Sequence, residues 1–533
     1  MGERRHNLAE RLATLAARSG WRDRSAFLVG DERYTHGAVH DGAARTAALL
    51  ARHGVGPGDR VLIALPDGVE FAWAFLGAAR LGAIAVPVNP QLAAADHAAM
   101  LEDATPSTVV CGDELAGRFA PVPVLSAGGL AAGIRQVEPA PAAPVTPETP
   151  AYAQFTSGTT GRPKAALHRH RDLEVYFQAF ARRALRVRED DVLFSASKLY
   201  FAYGLGNSLA FPLLSGASAV LHPGRPRPEA IGALLERHQP TILFAVPTLY
   251  ANLLAAVAGG RPPTRDLRLA VSAGEALLPA LAERVRAAFG CLVLDGLGST
   301  EVGQTFVSNT PDAWRDGTVG RALPPYQVEV RAGGDAGGEA ARPCPPAEHA
   351  GERSDAVRGR PAEPGEQGVL WVNGPTVLLG YWNNPEATAA ALHGEWLRSG
   401  DLAVLDDDGF VRMAGRADDI ENVGGINLAP AEIEGLLATH DGVTEVAVAA
   451  VRDPNGATHL RAFVVAGPAH GGEAARTALE AELLARCRAE LTAFKVPRAV
   501  TFLEALPRTP TGKLRRFMLR AWQPEADPEE RPG

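Results

Sequence analysis

Residues 267–299, LRLAVSAGEALLPALAERVRAAFGCLVLDGLGS, decide the fold class. A short apolar run, Leu267 to Glu275, is followed by an Ala/Leu/Arg-rich stretch and then by a second apolar run, Cys291 to Ser299. Short apolar runs bounded by Gly, Pro or Asp are typical of buried parallel strands, and the stretch between them is typical of a crossover helix. This unit therefore predicts an α/β architecture.

The same alternation repeats between residues 60 and 300. Five further apolar runs are Arg60–Pro66, Ala83–Pro90, Ser107–Gly112, Asp191–Ser197 and Thr241–Pro247. Together they predict a large N-terminal domain of doubly wound sheets, residues 1–415. Ligands of such sheets bind at the carboxyl ends of strands, which is where SAGE and GLGSTE fall.

Two later regions have a different composition. Residues 318–413 predict a small β-barrel-like region, interrupted at 332–367 by a Gly/Pro/Ala-rich stretch that we expect to be a disordered insertion. After residue 415 the pattern predicts a small α+β domain, 416–533. Its expected elements are a helix from Ala431, strands at Glu445–Val451 and His459–Gly467, and a helix from Glu473.

Charge and composition exclude some partners. The 533 residues carry a net charge of -8 with scattered Lys and Arg, so we expect no nucleic-acid partner. No segment approaches the roughly 18 apolar residues of a spanning helix, so we expect no membrane partner. The charged N-terminus lacks a signal sequence and the four cysteines form no CxxC pair, which predicts a cytoplasmic protein. Whether it is a monomer or a homodimer is left open.

The run FTSGTTGRPK, Phe155 to Lys164, has the composition of a phosphate-binding loop. Glycines let backbone N–H groups approach an anion, hydroxyls add donors, and a lysine adds charge. The candidate phosphate ligands are Thr156, Ser157, Gly158, Thr159, Thr160, Gly161 and Lys164. The run is not a Walker loop, because its glycines are three apart and Ala165 follows the lysine. For an isolated run, a flexible polar loop is the alternative. We expect the nearby His168 and His170 to be structural or solvent-facing.

Four further segments follow this loop in a fixed order. They are GLGSTE at Gly296–Glu301, EWLRSGDLA at Glu395–Ala403, GRADD with GG and PAEIE at Gly415–Glu434, and PRTPTGK at Pro507–Lys513. In this order and spacing, the five segments resemble the adenylate-forming superfamily of acyl-CoA synthetases, luciferases and peptide-synthetase adenylation domains. The resemblance covers the chain apart from residues 332–367.

The resemblance implies a catalytic centre for activating a carboxylate with ATP. Because one anion attacks another, such a site must neutralise charge. Lys513 is similar to the lysine that bridges the carboxylate and the α-phosphate, Thr300 to a phosphate contact, and Glu301 to the Mg²⁺ ligand. A solvated lysine and a helix N-cap are the alternatives for Lys513 and for the Thr300–Glu301 pair.

The resemblance also implies the nucleotide contacts and a mobile second domain. Gly274, Glu275 and Ala276 correspond to the segment around adenine, Asp401 to the ribose ligand, and Arg416 to a donor to ribose or phosphate. Leu297 stands where an aromatic residue is more usual. Asp418 corresponds to the hinge about which the C-terminal domain rotates between half-reactions. Gly424 and Gly425 correspond to a loop beside the CoA pantetheine tunnel.

The segment SKLYFAYGLGN, Ser197 to Asn207, is similar to that of benzoate-CoA ligases. It implies a short, flat, aromatic-lined acid slot formed by Ala202, Tyr203, Phe211 and Gly298, with core packing as the alternative. Three positions depart from these relatives: Asn422 replaces a lysine that aids thioester formation, Asn427 an aromatic residue, and Ala165 a glycine.

We therefore expect a benzoate-type acid and ATP with Mg²⁺ to give aryl-AMP and pyrophosphate, after which coenzyme A takes the aryl group. A second hypothesis replaces CoA by an amine, a carrier-protein thiol or a small inorganic nucleophile, and is motivated by Asn422 and Asn427. A third, a non-catalytic nucleotide-binding module, is disfavoured by Lys513, Glu301, Asp401 and Arg416.

Overall fold

The computed structural model describes residues 6–156, 163–256, 262, 264–332, 359–416, 421–423, 426–428, 430–452, 458–467, 470, 472–508 and 514–522. It contains three large sheets in the N-terminal part of the chain and two small ones in the C-terminal part.

The first large sheet has nine strands, of which six adjacent ones run parallel to one another. In spatial order they are Arg321–Ala322, Thr305–Ser308, Leu292–Gly298, Leu269–Ala273, Ile242–Ala245, Val192–Ser195, Ser218–Leu221, Ser25–Val29 and Glu32–Thr35. The strands Leu269–Ala273 and Ile242–Ala245 are buried along their whole length, because helices cover both faces of a parallel sheet.

The second large sheet has seven strands. In spatial order they are Gly380–Tyr381, Lys164–Arg169, Pro150–Thr156, Ile84–Pro87, Arg60–Ala64, Thr108–Cys111 and Val124–Ser126. All seven apolar runs identified in the sequence form strands, three in this sheet and four in the first. The predicted α/β fold class is therefore confirmed.

The third large sheet is the predicted small β region. Its strands, in spatial order, are Arg360–Pro361, Gln327–Ala332, Gln367–Asn373, Trp396–Leu405 and Leu392–His393, with Val411–Arg416 also paired to Trp396–Leu405. Arg360 pairs with Ala332, so the end of the expected 332–367 insertion belongs to this sheet. Residues 333–358 of that insertion lie outside the described residues.

Helices connect these strands and cover the sheets. The α-helices of this part are Leu8–Arg18, His36–Arg52, Val69–Arg80, Ala94–Ala104, Ala127–Gly133, Asp172–Tyr176, Ala202–Leu205, Phe211–Ser215, Pro228–His238, Pro247–Ala256, Pro279–Phe289 and Pro385–Ala391. Phe177–Ala184 and Gly206–Ala210 are π-helical, and Asp113–Arg118 and Ile134–Gln136 are 3₁₀-helical. One continuous buried apolar cluster joins the three sheets through residues such as Phe244, Tyr152 and Leu370.

The C-terminal part has its own core. Its strands are Glu421–Val423, Ile426–Leu428, Val443–Arg452, Thr458–Ala466 and Ala499–Phe502, and its helices are Pro430–Leu437, Glu473–Glu490, the 3₁₀ turn Ala493–Lys495 and Arg516–Arg520. Ile433, Leu437, Val448 and Leu483 are buried together. A separate α+β domain follows the N-terminal sheets, as expected. Within the described ranges, no helix is long and apolar enough to cross a bilayer.

Candidate active site

The candidate phosphate loop connects two antiparallel strands of the seven-stranded sheet. Thr156 ends one strand and pairs with Lys164, which begins the next. The Lys164 ammonium lies 5.6 Å from the centre of the Tyr381 ring, a cation–π distance. Ser157, Gly158, Thr159, Thr160 and Gly161 lie outside the described residues, and their roles stay predictions.

Thr300 and Glu301 form a turn directly after the strand Leu292–Gly298, rather than the start of a helix. Three successive carbonyl oxygens of this turn accept hydrogen bonds from other segments. The donors are His168 Nε2 to Thr300 at 2.8 Å, Leu378 N–H to Glu301 at 2.8 Å, and Thr376 Oγ1 to Val302 at 2.7 Å. The turn is therefore held by three hydrogen bonds from two other segments of the chain.

Tyr381 links this turn to the phosphate loop. Its hydroxyl donates to Glu301 Oε1 at 2.9 Å, its ring faces Lys164, and its backbone pairs with Ala166. Tyr381 belongs to none of the five sequence segments. Only the pairing of the strand Gly380–Tyr381 with Lys164–Arg169 brings it to the site, so sequence reasoning missed it.

The donor set at Glu301 fits Mg²⁺ bound together with nucleotide phosphates. No cluster of three or more His, Cys, Asp or Glu side chains suited to a metal is found in the part of the chain that the structure describes. Mg²⁺ is usually held by one or two carboxylates plus substrate phosphate oxygens rather than by an all-protein cage. A single carboxylate beside a phosphate loop matches that pattern.

The candidate adenine segment follows the adjacent strand of the nine-stranded sheet. Ala273 pairs with Gly296, so Gly274 and the turn after Gly298 lie at the same carboxyl edge. Gly274 has φ +91°, in the left-handed region that favours glycine. The Glu275 carboxylate accepts from Thr248 Oγ1 at 2.6 Å. Because the Glu275 side chain is hydrogen-bonded to Thr248, we expect residues 274–276 to contact adenine through their backbone.

The candidate ribose ligand and its partner meet across two antiparallel strands. Asp401 pairs with Arg416 in the small β region, although fifteen positions separate them in the sequence. The Asp401 N–H donates to Ser399 Oγ at 3.1 Å. The tertiary structure thus brings these two predicted nucleotide residues side by side.

The candidate acid segment is a helix interrupted by a π-helical turn. Ala202–Leu205 is followed by the π turn Gly206–Ala210 and by Phe211–Ser215. The Tyr203 hydroxyl donates to the Val271 carbonyl at 3.4 Å, and its backbone carbonyl accepts from Gln304 Nε2 at 3.2 Å. π-Helical turns inside helices are frequent at functional sites.

Phe211 and Gly298 differ in their surroundings. Phe211 is fully buried, with its ring 6.0 to 6.3 Å from the rings of Tyr176, Phe177, Phe180 and Phe244. It is part of the aromatic core, linked to Tyr203 through Phe244. At Gly298 a β-carbon would lie 3.0 Å from the backbone of Gln304, so any other residue would push the two strands apart by a few tenths of an ångström.

A buried ion pair that the sequence did not indicate anchors the start of the acid segment. The Asp67 carboxylate accepts from the Leu199 N–H at 2.9 Å and lies 3.6 Å from the Lys198 ammonium. Burial raises the pKa of Asp67 to about 6 despite the nearby lysine. The pair fixes the segment to the loop after the strand Arg60–Ala64.

Both histidines near the phosphate loop are buried, so the solvent-facing alternative is wrong for them. His170 Nδ1 accepts from the Leu8 N–H at 3.1 Å and holds the first helix. His168 contacts the Thr300 carbonyl instead, as described above.

The remaining predicted residues belong to the C-terminal domain. Lys513, Asp418, Gly424 and Gly425 lie outside the described residues, and their roles stay predictions. The departures Asn422 and Asn427 pair with each other across the two-stranded sheet that flanks Gly424 and Gly425. Both positions singled out in the sequence therefore lie in one hairpin.

Comparison with known families gives two matches. Residues 15–382 match the family described as AMP-binding enzyme, and residues 432–513 match the AMP-binding enzyme C-terminal domain.

Several individual proteins are similar over nearly the whole chain. The p-hydroxybenzoic acid–AMP ligase FadD22 of Mycobacterium marinum is 42% identical over 98% of this chain and 70% of its own length. The benzoate–CoA ligase of Thauera aromatica is 39% identical over 89% of this chain and 88% of its own. The crystal structure of a benzoate CoA ligase from Burkholderia xenovorans LB400 is 35% identical with a TM-score of 0.86, covering 96% of this chain and 99% of that one. The chain belongs to the AMP-binding, adenylate-forming enzyme family, close to the benzoate-CoA ligases and among its aryl-acid adenylating members.

Proposed function

We propose that this protein joins a benzoate-type carboxylic acid to ATP, giving aryl-AMP and pyrophosphate. The observation that carries the proposal is the linkage of the Thr300–Glu301 turn to Lys164 through Tyr381, at the sheet edge that also carries Gly274. This linkage supports a phosphate site between two sheets, because it joins Lys164 of one sheet to the turn that follows a strand of the other. Tyr203, in the neighbouring segment Ala202–Leu205, would supply an aromatic contact for the acid.

Each site residue then has one task. Lys164 and the hydroxyls and glycines of 156–161 hold the β- and γ-phosphates, while Asp401 and Arg416 bind the ribose. Glu301 would hold Mg²⁺, which neutralises phosphate charge when bound. Thr300 contacts phosphate, and Lys513 bridges the acid carboxylate and the α-phosphate. At an effective dielectric of 20, a cation about 4 Å from an anion offsets roughly 4 kcal/mol of repulsion.

The first candidate for the second half-reaction is transfer to coenzyme A. The relatives named as CoA ligases support it. In this proposal the C-terminal domain rotates about Asp418, Gly424 and Gly425 lie beside the pantetheine, and the CoA thiolate displaces AMP. The products are aryl-CoA and AMP.

A second candidate is transfer to another nucleophile. The pairing of Asn422 with Asn427 motivates it, since both departures fall in the hairpin assigned to the acceptor. The relative named as an AMP ligase also supports it, since its name mentions no CoA. An amine, a carrier-protein thiol or a small inorganic nucleophile would each satisfy this alternative.

Pyrophosphate exchange tests the first half-reaction. With ATP, Mg²⁺ and a panel of benzoate, hydroxybenzoates and anthranilate, we expect exchange that falls by about 10² or more in Lys513→Ala, because a transition-state contact is lost. Full exchange in that variant would refute the assigned role of Lys513. No exchange with any aryl acid in the wild type would refute the proposed function.

AMP release tests the second half-reaction. Acceleration by CoA, with formation of the aryl thioester, would support the first acceptor. If CoA leaves AMP release unchanged while pyrophosphate exchange proceeds, the acceptor is another nucleophile.

A further inference from the structure

We propose that His168 and Asp172 are a buried positioning pair that holds the Thr300–Glu301 turn in register with the phosphate loop. The inference rests on the proposed function, because it concerns how the same site holds ATP and its Mg²⁺. Neither residue lies in the five segments that define the candidate site, and neither would touch the substrates.

The hydrogen bonds of His168 fix the orientation of its ring. Nε2 donates to the Thr300 carbonyl oxygen at 2.8 Å, and a carbonyl oxygen can only accept. Nδ1 lies 3.2 Å from Asp172 Oδ2, which also accepts from the Arg169 N–H at 2.9 Å. Both imidazole nitrogens are therefore engaged, one with the turn and one with the carboxyl group.

Packing removes the remaining freedom of the pair. His168 and Asp172 are each 0% exposed. The His168 ring stacks on Tyr152, with the ring centres 4.9 Å apart and the planes 16° from parallel. Breaking the bond to Thr300 would leave a buried donor on His168 unpaired, which is costly, so the hydrogen bond and the ring stacking together favour one orientation of the imidazole.

The position of His168 in the chain gives the pair its significance. It lies on the strand Lys164–Arg169 of the seven-stranded sheet, which begins at the end of the phosphate loop, whereas Thr300 follows the strand Leu292–Gly298 of the nine-stranded sheet. The contact between them thus joins the two sheets at the site. A displacement of about 1 Å of a binding group can cost about 10² in rate, so the bond would act on catalysis through Thr300 and Glu301.

Two substitutions separate the two hydrogen bonds of His168. In His168→Gln the amide nitrogen reaches towards the position of Nε2 and can still donate to Thr300. In His168→Asn the shorter amide reaches only the position of Nδ1, so the bond to Thr300 is lost. We expect His168→Asn to lower the pyrophosphate exchange rate about tenfold or more, and His168→Gln to retain most of it.

Two measurements besides activity report on the turn itself. Calorimetry should show weaker binding of MgATP by His168→Asn than by His168→Gln. Hydrogen–deuterium exchange should be faster at the backbone amides of residues 300–303 in His168→Asn. A role in packing alone would predict no faster amide exchange at residues 300–303 than at the strand of Tyr152, which packs on the other contact face of His168.

His170→Asn is the matched control, because His170 is equally buried and close in the chain but is bonded to Leu8. We expect the pyrophosphate exchange rate and the MgATP affinity of His170→Asn to match those of the wild type. If His168→Asn does not fold, Asp172→Asn takes its place and should accelerate amide exchange at 300–303. The inference is overturned if these amides and MgATP affinity are unchanged in a folded variant, or if both His168 variants lose activity equally. Absence of pyrophosphate exchange in the wild type would instead refute the proposed function.

Discussion

At the scale of single residues, the site depends on side chains that fix the backbone as well as on those that would contact ATP. Glu301 is oriented from its carboxylate by Tyr381 and from its carbonyl by Leu378. Because Tyr381 also faces Lys164, one side chain contacts both a predicted phosphate ligand and the predicted Mg²⁺ ligand. The residue that couples them carries no charge of its own.

Tyr381→Phe tests this coupling. The substitution keeps the ring beside Lys164 but removes the hydroxyl bonded to Glu301. A hydrogen bond to a charged group contributes about 1.5–3 kcal/mol, so we expect kcat/KM for MgATP to fall about tenfold or more. Steady-state pyrophosphate exchange at varied MgATP measures the effect.

Tyr34→Phe is the control, since its hydroxyl is bonded to Glu32 in an edge strand of the nine-stranded sheet. An equal fall in both variants, or no fall in Tyr381→Phe, would contradict the assigned role of Tyr381.

At the scale of elements, the acid segment is held by close backbone packing. The helix Ala202–Leu205 lies against residues 197 and 198, and a β-carbon on Gly204 would lie 2.0 Å from the Lys198 carbonyl oxygen. The Asp67 carboxylate in turn fixes the backbone at Leu199. The approach at Gly204 is between backbone atoms and cannot be relieved by rotating a side chain, so the position of Tyr203 follows from the position of this turn.

Gly204→Ala should therefore displace the helix that carries Ala202 and Tyr203. We expect the KM for the aryl acid to rise several-fold or more, with a smaller change in the KM for MgATP, because about 1 Å of misplacement is costly at a binding site. Pyrophosphate exchange at varied acid concentration measures both constants. Gly232→Ala is the control, since its β-carbon would point into open space in the helix Pro228–His238. Equal KM values for the acid in wild type and Gly204→Ala would contradict this account.

At the scale of the whole molecule, burying carboxyl groups at the sheet edge has a cost in stability that depends on pH. Asp295 lies on the strand Leu292–Gly298, and burial raises its pKa from 3.8 to about 7. Its bound proton therefore stabilises the folded state at low pH, and this contribution is lost as the pH rises from about 4 through about 7.

Asp295→Asn removes this titration. Relative to the wild type, the variant should gain about 3 kcal/mol of stability as the pH rises from 5 to 8, because only the part of the pKa change that lies above pH 5 is sampled. Urea unfolding of both proteins at each pH gives the difference in their free energies of unfolding. The titration of buried histidines such as His36, which has the opposite pH dependence, is common to both proteins and cancels in this difference. Exposed Asp190→Asn should show no such change with pH. A constant difference between Asp295→Asn and the wild type would contradict the prediction.

Much of the architecture was accessible from local patterns. The seven apolar runs became strands, because burial on both faces of a parallel sheet requires continuous apolar side chains. The helices expected from Ala431 and from Glu473 begin within one residue of those positions. The sequence did not predict how the runs divide between two sheets, because strands of similar composition do not specify their neighbours.

The sequence by itself determined the fold class and the kind of chemistry, because motifs such as GLGSTE and PRTPTGK carry their residue types and order within short segments. Only the tertiary structure decided how these groups are held. His168, Thr376 and Tyr381 contact the turn at residues 300–302 from more than seventy positions away in the chain, and Asp172 acts on it only through His168. Such contacts depend on strand order and register, which local sequence does not encode, and they give a site of charged groups a fixed shape.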